Sequence, residues 1–86
     1  MIYSLKIRKS AQKSLAKISS AFQSKIIESI RDLSINPRPS GCKKLSGRGA
    51  WRIRVGDYRI IYEIYDGELV VAVILVGHRS EVYKSK

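Results

Sequence analysis

Hydrophobic positions change period along the chain, and each change marks an element. Residues 2–7, IYSLKI, alternate strictly: Ile2, Ser4 and Lys6 fall on one side, and Tyr3, Leu5 and Ile7 on the other. That is the two-residue period of a strand whose second set points inward. From Ser10 the period lengthens. Ala11, Leu15, Ile18 and Phe22 recur at helical spacing, while Lys9, Lys13 and Lys17 repeat every four residues on another face, so a short amphipathic helix with a basic outside is predicted. Ser20 and Gln23 have the spacing of a capping box and predict the start of a second helix, with Phe22, Ile26, Ile27, Ile30 and Leu33 as its apolar stripe. INPRPSG ends that helix, because Pro37 and Pro39 lack N–H donors and push Asn36 and Arg38 out of helical angles.

After a basic loop, CKKLSGRGA, three alternating runs cover residues 50–55, 58–65 and 68–76. Gly56-Asp57 and Asp66-Gly67 join them, and both dipeptides suit the primed two-residue turns that match strand twist. The predicted fold is α+β: β-α-α-β-β-β, an antiparallel sheet with two helices packed on one face, in a single domain spanning residues 1–86.

The first turn sets a register in which Val55 faces Tyr58, Arg54 faces Arg59, Ile53 faces Ile60 and Arg52 faces Ile61. Trp51, Ile53, Val55, Tyr58, Ile60 and Tyr62 then share the side that packs on the helices. Arg52, Arg54 and Arg59 share the other. A directly opposed like-charge pair costs a few tenths to about 1 kcal/mol. Glu63 is the acid of that face, and Val70, Ala72 and Ile74 of the next strand are expected to floor it. Guanidinium groups on a partly dry floor form a site suited to phosphate.

The overall charge agrees: 17 Lys+Arg against 7 Asp+Glu leave +10 on 86 residues. Such a balance favours a polyanionic partner, nucleic acid first. A chain this short buries only about 60–65 % of its unfolded surface, so little stability is spare. There is no apolar run long enough to span a bilayer and no secretory leader, so a cytoplasmic protein without membrane association is expected. One cysteine, Cys42, and one histidine, His78, exclude an internal disulfide and a tetrahedral His/Cys metal site; no cofactor is expected.

The chain ends in VGHRSEVYKSK, with His78, Arg79 and Tyr83 just past Gly77. KKLSGRGAWRIRVGDYRIIYEI followed by VGHRSEVYK resembles the RelE branch of the RelE/ParE toxin superfamily, the toxins of bacterial and archaeal type II toxin–antitoxin pairs. The resemblance covers nearly the whole chain. It implies a RelE-like fold and a ribosome-dependent, metal-independent endoribonuclease that cuts mRNA in the ribosomal A site. It also implies inhibition by a cognate RelB-like antitoxin, with the complex binding operator DNA through that antitoxin.

Carried over residue by residue, the implied catalytic set is Arg52, Arg54, Arg59, Arg79 and Tyr83, and Lys44, His78, Lys9 and Lys13 are expected to contact RNA or ribosome. RelE nucleases often have lysines where this chain has Arg52 and Arg54, and a guanidinium is a poor general base. Tyr83, His78 and Lys44 remain as bases for attack of a ribose 2′-hydroxyl, or positioning and electrostatics carry most of the rate. Two other readings stand beside this one: a ParE-like inhibitor of DNA gyrase with no nuclease activity, and a nucleic-acid binding module without catalysis.

Overall fold

Alternation at the N-terminus produces β1 (Ser4–Ile7), and the switch to helical period produces α1 (Lys9–Ala16) and α2 (Ser20–Ile35). A two-residue strand, β2 (Lys43–Lys44), precedes β3 (Ala50–Val55), β4 (Tyr58–Tyr65) and β5 (Val70–His78). The computed structural model describes residues 2–45 and 49–78. The five strands are ordered β1-β5-β4-β3-β2. β3 to β5 form the expected antiparallel meander, β2 adds an antiparallel edge where a loop was expected, and β1 joins the other edge parallel to β5, which makes the sheet mixed.

The inward sets meet as their periods require. Leu5 and Ile7 lie beside Val71 and Val73. Ala11 and Leu15 of α1, and Ile26, Ile30 and Leu33 of α2, pack on Ile53, Ile60, Tyr62, Val71, Val73 and Val76. Each large aliphatic side chain buried there contributes about 1.5–3 kcal/mol.

Three local expectations are corrected. The N-cap of α2 is Ser19 and makes no side-chain capping bond. Gln23 donates instead to the Leu15 carbonyl at 2.6 Å, adding a side-chain donor to a carbonyl that already accepts from the Ile18 amide and tying the two helices together. Phe22 is not core: it is 42 % exposed, with its ring 5.5 Å from that of Tyr58 at the hairpin end of the sheet. Finally, β4 and β5 are joined by four residues, 66–69, with Leu69 in the left-handed region at φ 53°, where a two-residue turn was expected.

The last strand also carries a bulge. Ile61 pairs with Leu75 but Tyr62 with Val73, so Ile74 has no partner and the alternation of β5 reverses beyond it. Ala72 keeps its expected place on the face away from the helices, whereas Leu75 replaces Ile74 there. The bulged carbonyl is not orphaned, because Ser10 Oγ donates to it at 2.7 Å from the start of α1.

The longer loop carries an ion pair. Arg38 grips the Asp66 carboxylate at 2.8 and 3.2 Å, and Tyr3 donates to it at 2.6 Å. The same guanidinium lies 5.2 Å from the Trp51 ring. Tyr62, fully buried, donates to the Pro37 carbonyl at 2.7 Å, and burial pushes its hydroxyl pKa up. The segment after α2 is thereby fastened to β3, β4 and the loop before β5.

Hydrogen bonds from Arg38, then from Tyr3, lower the Asp66 pKa from 3.8 to about 2. A folded-state value below the unfolded one contributes stability above about pH 4 that is lost as pH falls through about 2. Arg38→Ala is expected to return the Asp66 titration toward its ordinary value and to move the onset of acid unfolding to higher pH. Carboxyl NMR titration of both proteins checks this, and an unshifted Asp66 curve would mean that Arg38 does not hold the carboxylate in solution.

Candidate nucleic-acid interface

The hairpin places its side chains by register. Gly56 takes φ 60° while Asp57 stays at negative φ, the pattern of a type II′ turn with glycine at its first central position. Val55 therefore faces Tyr58, Arg54 faces Arg59, Ile53 faces Ile60 and Arg52 faces Ile61, the pairing expected from the sequence. The three arginines project from the face the helices leave open.

β2 adds a cation that sequence reasoning missed. Lys43 pairs with Arg52 and shares its face, whereas Lys44 pairs with Trp51 on the helix side, its Nζ 6.0 Å from the indole. A two-residue strand inside a lysine- and glycine-rich loop carries no readable period; continuing the parity of Arg52 across the loop was the available signal.

Two of the arginines are less exposed than a solvated sheet face implies. Arg52 and Arg59 are each 7 % exposed, while Arg54 is open to solvent. Around them Ala50, Ile61 and Ala72 are buried and form an apolar floor. Among the described residues no buried side-chain nitrogen or oxygen lacks a hydrogen-bond partner. A guanidinium in such partly dry surroundings interacts with an added anion more strongly than one in bulk water.

Glu63 is the one carboxylate on the described strands of this face, and it is engaged at the far side. Arg8 lies 3.9 Å away, and the Tyr65 hydroxyl donates to Glu63, which pushes the Tyr65 pKa up. At the β3 edge, Arg54 also borders a cleft of about 280 Å³ lined by Ser29, Asp32, Pro39, Ser40, Gly41 and Ile53.

The other expected contact residues are dispersed. His78 pairs with Tyr58 and meets its ring edge-on at 5.8 Å, which puts it on the helix side. Lys13 is exposed on the last turn of α1. Lys9 opens α1 beside Lys6 and Arg8, at the β1 edge of the open face. Arg79 and Tyr83 lie outside the described residues. Cys42 is half-buried against the core. Among the described residues no group of three or more His, Cys, Asp or Glu side chains is gathered as a metal site, and no helix is long and apolar enough to cross a membrane.

This arrangement has close counterparts. The family model for the ParE toxin of the type II toxin–antitoxin system, parDE, matches residues 5–83. A RelE-like toxin protein of Escherichia coli is 30 % identical, over 96 % of this chain and 92 % of its own length. Toxin RelG of Mycobacterium tuberculosis is also 30 % identical, over 98 % of this chain and 99 % of its own. The chain belongs to the RelE branch of the RelE/ParE toxins. The fold agrees: the RelE of an archaeal RelE–RelB complex from Pyrococcus horikoshii superimposes with a TM-score of 0.82 at 30 % identity, covering 92 % of this chain and 97 % of that one. The free E. coli RelE toxin, carrying two arginine-to-alanine substitutions, gives 0.79 at 30 % identity, covering 98 % and 93 %.

In this RelE-like toxin the opposed Arg54 and Arg59 work against the hairpin that holds them. Arg54→Thr, a strand-compatible change at an exposed position, is expected to stabilise the fold by a few tenths to about 1 kcal/mol. Denaturant unfolding measures this. A variant that is less stable than the parent would show that the pair is not in conflict.

Proposed function

We propose that this toxin is a ribosome-dependent, metal-independent endoribonuclease that cuts mRNA in the A site, acting in the cytoplasm and silenced by a RelB-like antitoxin. The observation that carries the reading is the cluster of Arg52, Arg54 and Arg59 on one sheet face, above a floor of buried apolar side chains. Relatives from P. horikoshii and M. tuberculosis solved as toxin–antitoxin complexes support the partner. In such a pair the antitoxin contributes operator DNA binding.

The chemistry is attack of a ribose 2′-hydroxyl on the adjacent phosphorus. The 2′-oxygen–phosphorus bond forms and the bond to the 5′-oxygen breaks, leaving a 2′,3′-cyclic phosphate and a 5′-hydroxyl. Arg54 and Arg59 hold the non-bridging oxygens, where charge grows, and Arg52 extends the clamp toward the next phosphate. Arg79 neutralises or protonates the departing 5′-oxygen, and Tyr83 orients the 2′-hydroxyl or stacks on a base. The three arginines stay charged throughout, which makes them stabilisers and not bases. Of the three bases the sequence offers, His78 and Lys44 project from the helix side. Proton removal then rests on Tyr83 or on positioning and electrostatics alone.

The family model named for ParE supports a second reading, inhibition of DNA gyrase by binding. The two part company at the tail. Losing a group that acts only in the transition state costs on the order of 10²- to 10³-fold in rate. Arg79→Ala and Tyr83→Phe are expected to abolish growth arrest while folding and antitoxin binding persist. Primer extension on induced cells is expected to show new 5′ ends within codons for the parent only. Gyrase inhibition without new message ends would transfer the assignment to the ParE-like reading.

Partner dependence is also testable. Co-expression with an adjacent gene for a small acidic protein is expected to yield one stable complex. A harmless toxin chain recovered alone in high yield would speak against the toxin role.

A further inference from the structure

The open face carries a second group of cations that the proposed chemistry does not use. Lys6 lies beside Ala72 in the β1–β5 register, on the same side as Glu63 and the hairpin arginines. Arg8 continues that alternation, and its approach to Glu63 at 3.9 Å places its head over the same face. With Lys9, Ile7, Ser10 and Ala72 they line an open groove of about 660 Å³. Its wall is fixed from two directions: Ser10 is bonded to the bulged Ile74 carbonyl, and the Arg8 amide donates to the Val73 carbonyl at 2.9 Å.

β1 lies three strand spacings from β3, roughly 14 Å. Between the two cationic banks run the uncharged Ile61, Ala72 and Leu75, with the Glu63 carboxylate beside them on β4, opposite Ala72. An isolated ion would fill one bank or the other. A flexible chain of regularly spaced anions is the ligand that engages both.

We infer that Lys6, Arg8 and Lys9 form a distal phosphate subsite for single-stranded RNA, which holds the backbone a few nucleotides from the phosphate at Arg54 and Arg59. The inference rests on the RNA reading above but not on cleavage. RNA is favoured over an acidic peptide because the groove and the arginine cluster are continuous on one face.

The test uses the full-length toxin and synthetic single-stranded RNAs of two lengths, one long enough to span both banks and one confined to the arginine bank. Fluorescence anisotropy across a salt series gives the dependence of log K on log salt. With the long RNA, Lys6→Ala and Arg8→Ala are each expected to flatten the slope by about 0.7, the change for one single-strand phosphate contact. With the short RNA neither is expected to change it. Arg8→Lys is expected to keep the slope, and Glu63→Gln, which removes the competing carboxylate and leaves all three cations, to keep or steepen it.

Equal slopes for parent and Lys6→Ala/Arg8→Ala double variant on the long RNA would overturn the subsite even if the toxin cleaves messages normally. So would a double variant that binds long RNA normally but loses its antitoxin, since the groove would then hold the partner's carboxylates. A slope that flattens as expected in a protein with no cleavage on ribosomes would sustain the subsite and reject the nuclease reading instead.

Discussion

A two-residue turn leaves β3 and β4 a single register, and nearly everything else follows from that restriction. With Val55 held opposite Tyr58, the inward set lands on α1 and α2, and Arg52, Arg54 and Arg59 land together on the other face. A slip of β3 by one residue would drive Trp51, Ile53 and Val55 to the open face and Arg52 and Arg54 into the core. The same constraint that builds the core therefore builds the cation cluster. Neither can be altered without the other, because they are the two sides of one pair of strands.

The opposed arginines cost the hairpin a little stability, and a domain of 86 residues has little in reserve. Compensation sits at the other end of the sheet. Tyr62 reaches the Pro37 carbonyl, Arg38 holds Asp66 and covers Trp51, and Tyr3 closes on the same carboxylate. These contacts spend polar groups on structure well away from the hairpin cluster. On the cluster itself the floor is buried, and Arg52 and Arg59 are buried with it.

Periodic elements were legible in the sequence: both helices, the three long strands, the hairpin register and the face carrying the arginines. What escaped it was fixed by contacts between distant residues. Gln23 had capping-box spacing, but its side chain donates to the Leu15 carbonyl at the end of the neighbouring helix. Asp66-Gly67 has the composition of a tight turn, yet the grip of Arg38 and Tyr3 on Asp66 accompanies a four-residue loop. The bulge at Ile74 exchanges Ile74 for Leu75 on the floor, and alternation alone cannot reveal where a strand skips. Lys43 and Lys44 were indistinguishable until a two-residue strand gave them opposite faces. The site was thus readable where strands are regular and unreadable where a loop or bulge sets the parity.

The net charge of +10 is sorted unevenly over the molecule. Glu28 and Asp32 lie on α2, Asp57 and Glu68 in turns, and Asp66 is bound to Arg38, so of the described acids Glu63 alone stands on the strands of the open face. Lys6, Lys43, Arg52, Arg54 and Arg59 stand on the same face. Exposed charges are screened beyond about 8 Å at physiological salt, so the banks at β1 and β3 act as separate local fields. A compact anion would feel one of them, whereas an extended polyanion sums both, and its binding must fall steeply with salt. The face is built from a fold shared with other RelE toxins, and under the proposed reading what it discriminates is the spacing of charge along its ligand. That is why the edge strand β1, remote from the hairpin, belongs to the same physical account as the arginines.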